Sequence, residues 1–360
     1  MVLSFLLLTV NANGDVVQNQ IEPADGITDP QAFEAIYPDK NLIQDDNIFH
    51  AALVNIGGMG TVYSYTFRTV NAFFLTENRT FVTWEEAQDQ ILALYNRNII
   101  EQGPVEGNLH SFEIFVNPYP MEPQGQVGVV ICTLEYSNGP PKGERPDWHI
   151  IPHEWVRNGF VWACNKFQEV VPVLLNLLML ATTTDQPVTM NAVEALDPLS
   201  GLAVSGEVTV SECAMQTQNA EDVIQKIQAL IDQYQQIQGE NENQFATTPF
   251  AVRFSSPTNA YMAMQYNHQS MMIISNILVG TPNADNTLQQ FRDLMRIEFS
   301  GRPHWGMVQN LDANEVGQIY PANNGVDPVD VFRNVMQQLD PDGIFRNQFI
   351  NRVFFPGQNQ

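Results

Sequence analysis

Basic residues are scarce in this chain. Its 360 residues hold 16 Lys and Arg against 40 Asp and Glu, a net charge of −24. Phosphate backbones are gripped by a clustered positive face, so nucleic acid is not expected as a partner. Cysteine is rarer still. Cys132, Cys164 and Cys213 are far apart, which gives neither a disulfide framework nor zinc-ligand spacing. Each reads as a small buried hydrophobe. Long apolar runs are also missing. Val170 to Ala181 is uncharged, yet a bilayer span takes roughly 20 such residues. It predicts a buried helix in the domain core, with no membrane span. Internal repeats and low-complexity tracts are absent by eye. His149 and His153, with Glu154 beside them, lack the order of a zinc helix, and Pro152 breaks the turn between them. They read as loop histidines, and no metal site is expected.

The chain is 44% apolar and 10% aromatic, which suits a globular protein. Its length fits two domains. Met1 to Val10 has an apolar centre but no basic leader and no convincing cleavage site, so it predicts a strand in preference to a signal peptide. Asn13-Gly14 is a strong hairpin turn because both residues tolerate positive φ, and Asp15 to Val17 returns as the partner strand. Thr83 and Glu86 form a capping box for a helix to about Glu101. Phe112, Ile114 and Val116 alternate along a strand at 111–118, and 126–136 is a second strand that pairs antiparallel with it. Further strands are expected at 206–213, 249–256 and 271–279. Helices are expected at 220–238 and 287–299. Asp327-Pro328 opens a last helix that Pro341 stops.

One segment carries chemistry. Gly301-Arg302-Pro303-His304-Trp305-Gly306-Met307 places a cation, an imidazole and an indole within four residues. It resembles the Arg-Pro-His-Trp-Gly-Lys signature of the FAD-dependent sugar-lactone and alditol oxidases, in the vanillyl-alcohol oxidase superfamily. The stretch from Leu339-Asp340-Pro341-Asp342-Gly343 through Asn347 to Val353-Phe354-Phe355 is similar to that family's closing pattern. Asp46 to Leu53, followed by Gly57-Gly58-Met59-Gly60 and a strand from Thr61 to about Leu75, resembles its glycine-containing flavin segment. Phe250-Ala251-Val252-Arg253-Phe254 resembles its Glu-Val-Arg-Phe strand.

The resemblance implies FAD as cofactor and oxidation of an alcohol carbon by hydride transfer. By it, Arg253 and His304 are the candidate catalytic residues. Arg253 would face the substrate, or else make a surface ion pair. His304 would accept a proton, orient the substrate oxygen, or simply sit bonded to backbone. Gly57, Gly60, Val62, Trp305 and Asn347 are the candidate cofactor-side residues, with Asn347 otherwise a turn cap. Two positions depart from the family: its glutamate is Ala251 here and its lysine is Met307. Losing both together avoids stranding one buried charge. The donor expected is an alcohol such as a sugar lactone, polyol or sterol, and the double loss opens the class to a more apolar alcohol or else goes with loss of activity.

The resulting expectation is an α+β fold, an antiparallel sheet covered by helices, plus the rear part of a PCMH-type FAD-binding domain. Residues 1–75 would belong to the FAD-binding domain and 76–310 to the substrate domain, with 311–360 returning to the FAD side. The matching segments correspond to the later part of the family's architecture. The chain alone is therefore expected to be inactive, as a fragment, a split gene product, or an enzyme completed by a separate chain that supplies the pyrophosphate-binding half. The alternative is a non-catalytic remnant of the fold, kept as an interaction protein.

Overall fold

The computed structural model describes residues 1–97, 104–121, 125–143, 154–184, 186–196, 208–240 and 244–357. His149 and His153 fall outside these residues. Contacts divide the chain into two compact units: Met1–Val70 with Pro257–Asn267 and Asn310–Gln360, and Asn71–Ser256 with His268–Gln309. The sequence predicts an unbroken domain over 76–310, but Pro257–Asn267 leaves it and packs within the first unit.

The first unit begins with strands β1 (Val2–Val10) and β2 (Val16–Glu22), paired antiparallel with Phe5 opposite Ile21. Gly14 turns between them at φ +86°, and Asn11 Oδ1 accepts the N–H groups of Asn13 and Asp15. Helix α1 (Pro30–Ile36), capped by Asp29, crosses over to β3 (Lys40–Gln44), which lies parallel to β2. Helix α2 (Asp46–Ala52) starts on Asp45, whose carboxylate accepts from Ile48 N. Strand β4 (Thr61–Phe67) completes a four-stranded sheet of order β3-β2-β1-β4.

The second unit is built on an eight-stranded sheet. In chain order its elements are β5 (Phe74–Thr83), α3 (Trp84–Asn96), β6 (Leu109–Met121), β7 (Gln126–Ser137), α4 (Glu154–Lys166), α5 (Val171–Ala181), β8 (Val188–Asn191) and α6 (Ala192–Ala195). There follow β9 (Val208–Gln216), α7 (Ala220–Glu240), β10 (Phe250–Ser255), β11 (Ser270–Leu278), α8 (Ala284–Phe299) and β12 (Arg302–Pro303). The strand order is β12-β9-β11-β10-β6-β7-β5-β8, and every pairing is antiparallel. Helices α9 (Ala313–Ile319), α10 (Pro328–Leu339) and α11 (Gln348–Phe354) belong to the first unit.

Because strand side chains alternate, each strand contributes to both faces of this sheet. Phe112, Ile114 and Val116 of β6 and Phe250 and Val252 of β10 turn to one face. There they meet Ile227 and Leu230 of α7 and Phe291 of α8 in the main core. Removing a ring of the Phe291 kind, fully buried here, costs about 3–5 kcal/mol. The residues between them, Phe115 and Ala251, turn to the opposite face with Val130 and Cys132 of β7 and form a smaller apolar cluster with Met179 of α5. The candidate chemistry lies on this second face.

Helix α5 departs from expectation. It buries Val171, Leu175, Leu178 and Met179 but leaves Val173, Leu177 and Leu180 exposed at 61%, 58% and 45%. An uncharged helix packed along one side keeps the other in solvent, so absence of charge did not mean full burial. Among the described residues no helix is long and apolar enough to cross a membrane. Strand β5 was not anticipated as separate from β4. The chain leaves β4 at Phe67 and re-enters regular structure at Phe74 as an internal strand between β7 and β8.

Candidate active site

The segment from Gly301 is placed by the end of α8. Ser300 closes that helix in the left-handed region, at φ +50°. Gly301 then donates its N–H to Met295 O at 2.8 Å, and a Cβ on Gly301 would meet that same oxygen at 2.8 Å. Glycine is therefore what lets the chain turn directly off the helix. Arg302 and Pro303 pair with Ala214 and Cys213 as the edge strand β12. An edge is where a strand proline is tolerated, since its missing N–H faces no neighbour. The His304 N–H then donates to Glu212 O at 2.9 Å, which fixes the imidazole beside Glu212.

Register across the sheet gathers the other groups. Ala251 opposes Phe115 on one side and Ile274 on the other, and Ile274 opposes Glu212. One step along, Arg253 opposes Met272, and Met272 opposes Ala214. Arg253 Nε lies 2.8 Å from Glu113 Oε1, with the two side chains 42% and 29% exposed. The N–H does not point along this contact, because Arg253 Nε has no aligned hydrogen-bond acceptor. An ion contact this exposed contributes about 0–1 kcal/mol. It orients the guanidinium and leaves part of it in solvent. Arg253, Glu113, Glu212 and His304 thus share one sheet face, next to the apolar cluster that contains Ala251.

Glu212 is the perturbed group. Burial pushes its carboxyl above the ordinary glutamate range, and the charges of His304 and then Arg253 pull it back only in part. Gly306 donates its N–H to His304 Nδ1 at 3.1 Å. A nitrogen that accepts a hydrogen bond carries a lone pair, so the neutral ring holds its proton on Nε2. His268 stands further along, beside Arg302. Burial and then that guanidinium hold its imidazole down to about 4.

The structure brings Arg253 and His304, which the sequence singled out, together with Glu113 and Glu212, which it did not. Glu113 had a signal, since it lies in a strand among alternating apolar residues. Glu212 had none beyond being a carboxylate in a strand. Trp305 follows His304 in the same unit. The remaining predicted residues, Gly57, Gly60, Val62 and Asn347, lie in the first unit.

Within that unit Gly60 has a packing duty. It sits at φ +134°, and a Cβ there would meet Leu8 O at 2.4 Å. Gly57, at φ +77°, has open space where a Cβ would go. Val62 pairs with Leu7. Asn347 caps α11, its Oδ1 accepting from Ile350 N at 2.9 Å. The same unit holds a cavity of about 570 Å³ bordered by Phe49, His50, Arg68, Asp25 and Thr258. His50 Nδ1 is buried there without a hydrogen-bond partner among the described residues. An orphaned ring nitrogen in a partly apolar groove that Arg68 also borders fits an acceptor-rich group such as part of a nucleotide cofactor. The bare surface at Gly57 is likewise open to close approach. Among the described residues no cluster of His, Cys, Asp or Glu could hold a metal.

Comparison with known proteins bears on the family and the fold. The D-arabinono-1,4-lactone oxidase family profile matches residues 66–353. An L-gulono-1,4-lactone dehydrogenase of Mycobacterium tuberculosis is 23% identical over 325 residues, 87% of this chain and 65% of that protein. A long-chain alcohol oxidase from an uncultured marine euryarchaeote is 41% identical over 58 residues, 16% of this chain and 11% of that protein. The crystal structure of cholesterol oxidase from B. sterolicum superposes with a TM-score of 0.68 at 12% identity, over 98% of this chain and 69% of that one. The chain thus spans about two thirds of the gulonolactone relative's length. With the profile covering most of the sequence and the fold matching, the chain belongs to the D-arabinono-1,4-lactone oxidase family of FAD-dependent oxidoreductases.

Proposed function

We propose that this chain carries the substrate-oxidising site of an FAD-linked oxidoreductase acting on a CH–OH carbon, and that its donor is an apolar alcohol. The observation that carries the reading is the gathering of Arg253, Glu113, Glu212 and His304 on one sheet face beside a buried apolar cluster. When bound, FAD supplies a hydride acceptor for the alcohol carbon. The chain supplies the rest. Arg253, held by Glu113, offers positive charge to an oxygen that gains negative character as the carbon–hydrogen bond breaks. His304 Nε2–H is a donor available to the same oxygen. Phe115, Ala251 and Ile274 give the neighbouring surface no polar group to recognise a sugar hydroxyl. In the first unit, His50, Arg68 and Gly57 are the residues that would face the cofactor.

The name of the long-chain alcohol oxidase relative supports an apolar donor. The lactone relatives support a sugar lactone, for which this chain lacks the polar partners at Ala251 and Met307. The test is direct. FAD is offered to the chain, alone and together with the polypeptide that supplies the portion of its relatives it does not span. Visible absorbance reports binding. Anaerobic bleaching by decanol or cholesterol, lost in Arg253→Ala, is the expected result. A complex that never bleaches with any alcohol or lactone makes the protein a binding module of the oxidase fold. The double variant Ala251→Glu with Met307→Lys should gain turnover of polyols. No gain would refute the account of substrate class.

A further inference from the structure

We propose that Glu212 takes the hydroxyl proton of the alcohol, and that His304 orients the alcohol oxygen without serving as the base. The inference rests on the alcohol-oxidising reading above and assigns a role within it. In the step, the O–H bond breaks and its proton passes to a Glu212 carboxylate oxygen. A bound oxidised flavin would supply the acceptor for the carbon's hydride, and the carbon would leave as a carbonyl.

The assignment follows from asking which group on this face holds an available lone pair. A guanidinium offers no acceptor lone pair, which removes Arg253 and Arg302. Glu113 is taken up by Arg253, 2.8 Å away. The Nδ1 of His304 is occupied by the Gly306 N–H at 3.1 Å, so protonating it would break that bond, and Nε2 already carries a proton. His268 lies beyond Arg302, with its Nδ1 against Ser270 Oγ at 2.9 Å. Glu212 remains. Its backbone carbonyl accepts the His304 N–H, which fixes its main chain beside the edge segment, and among the described residues no donor is tied to its carboxylate oxygens.

The charged groups that face it are His304 on the edge segment and Arg253 on β10, with Glu113 of β6 behind Arg253; its β11 neighbour, Ile274, is uncharged. Desolvation outweighs the opposing pull of His304 and Arg253 and raises its carboxyl, as a base working nearer neutrality requires. This position also answers the loss at Ala251. The two lie in one cross-strand row, separated by Ile274, so a carboxylate remains on this face although the family's own is missing.

Two measurements test this. In protein free of cofactor, glutamate-selective carbon labelling follows each carboxyl by NMR, and the signal missing from Glu212→Gln identifies Glu212. It should titrate above the other glutamates, and higher still in Arg253→Ala. Titration among the ordinary glutamates overturns the proposal. In FAD-loaded protein, anaerobic flavin reduction by decanol is followed against pH. Glu212→Gln should slow reduction by about a hundredfold or more and abolish the acidic limb of the profile, with little change in the decanol concentration giving half-maximal rate. Glu212→Asp should restore part of the rate and the limb. An unchanged limb in Glu212→Gln removes the proposal while leaving the alcohol-oxidising reading intact. Failure of the unaltered protein to reduce flavin with any alcohol removes that reading and the proposal with it.

Discussion

Gly60 and Gly57 lie three positions apart in a segment with one family resemblance, yet the structure gives them opposite burdens. Alanine at Gly60 places its Cβ 2.4 Å from Leu8 O and 3.1 Å from Thr9 Cγ2, at φ +134°. The first contact is with the backbone of β1, the central partner of β2 and β4, so it cannot swing aside as a side-chain tip would. Backbone strain of this kind costs about 1–3 kcal/mol, and forced displacement of packed structure about as much again. Gly60→Ala should therefore lose about 2–6 kcal/mol, a large part of the roughly 5–15 kcal/mol that holds a folded domain. Gly57→Ala meets no atom within 4 Å and pays only the left-handed backbone cost of about 1–2 kcal/mol. None of the five tryptophans lies in the first unit, so hydrogen exchange at the amides of β1 is the proper readout. Exchange there should accelerate strongly in Gly60→Ala and slightly in Gly57→Ala, while FAD affinity should fall in Gly57→Ala. Equal protection of β1 in Gly60→Ala and the parent would refute the steric argument.

Three further outcomes follow from buried groups. Tyr119 is 1% exposed and its Oη accepts the Ala246 N–H at 2.6 Å, so Tyr119→Phe strands a buried donor. A loss of about 1–3 kcal/mol by urea denaturation is expected. His268 is held down to about 4 from 6.5, so the folded state resists its protonation. Its contribution to stability is complete above about 6.5 and is lost as pH falls from there through about 4. His268→Gln should flatten the decline of melting temperature across that window. The thiols of Cys164 and Cys213 are pushed up to about 12 by burial. All three cysteines are buried, so a disulfide-exchange reagent at pH 8 should label none in the folded protein and all three after unfolding.

Much of the fold is legible in the residues because local rules decide it. Asn13-Gly14 makes its hairpin, and Thr83 with Glu86 makes its capping box. Alternation in β6, the apolar run of β7 and the short polar link between them predict both strands and their antiparallel pairing. Asp327-Pro328 starts α10 as its chemistry requires. The misses are of another kind. Short β8 carries too few residues to show a period, and β5 runs straight into α3. The exposed side of α5 was hidden because an apolar sequence looks the same whether one face or all of it is covered.

The sequence by itself determined that strand β10 points Arg253 and Ala251 to one face, since residues two apart in a strand must agree. Only the tertiary structure decided that Glu212 lies beside His304 and that Glu113 holds Arg253. These pairs are separated by 92 and 140 positions in the chain, as their numbering gives. Strand register is chosen by how whole faces bury against helices α7 and α8, a sum over many side chains that no local spacing records. The same global choice leaves Glu212 desolvated, and so turns one carboxylate among 40 acidic residues into the perturbed group of the site.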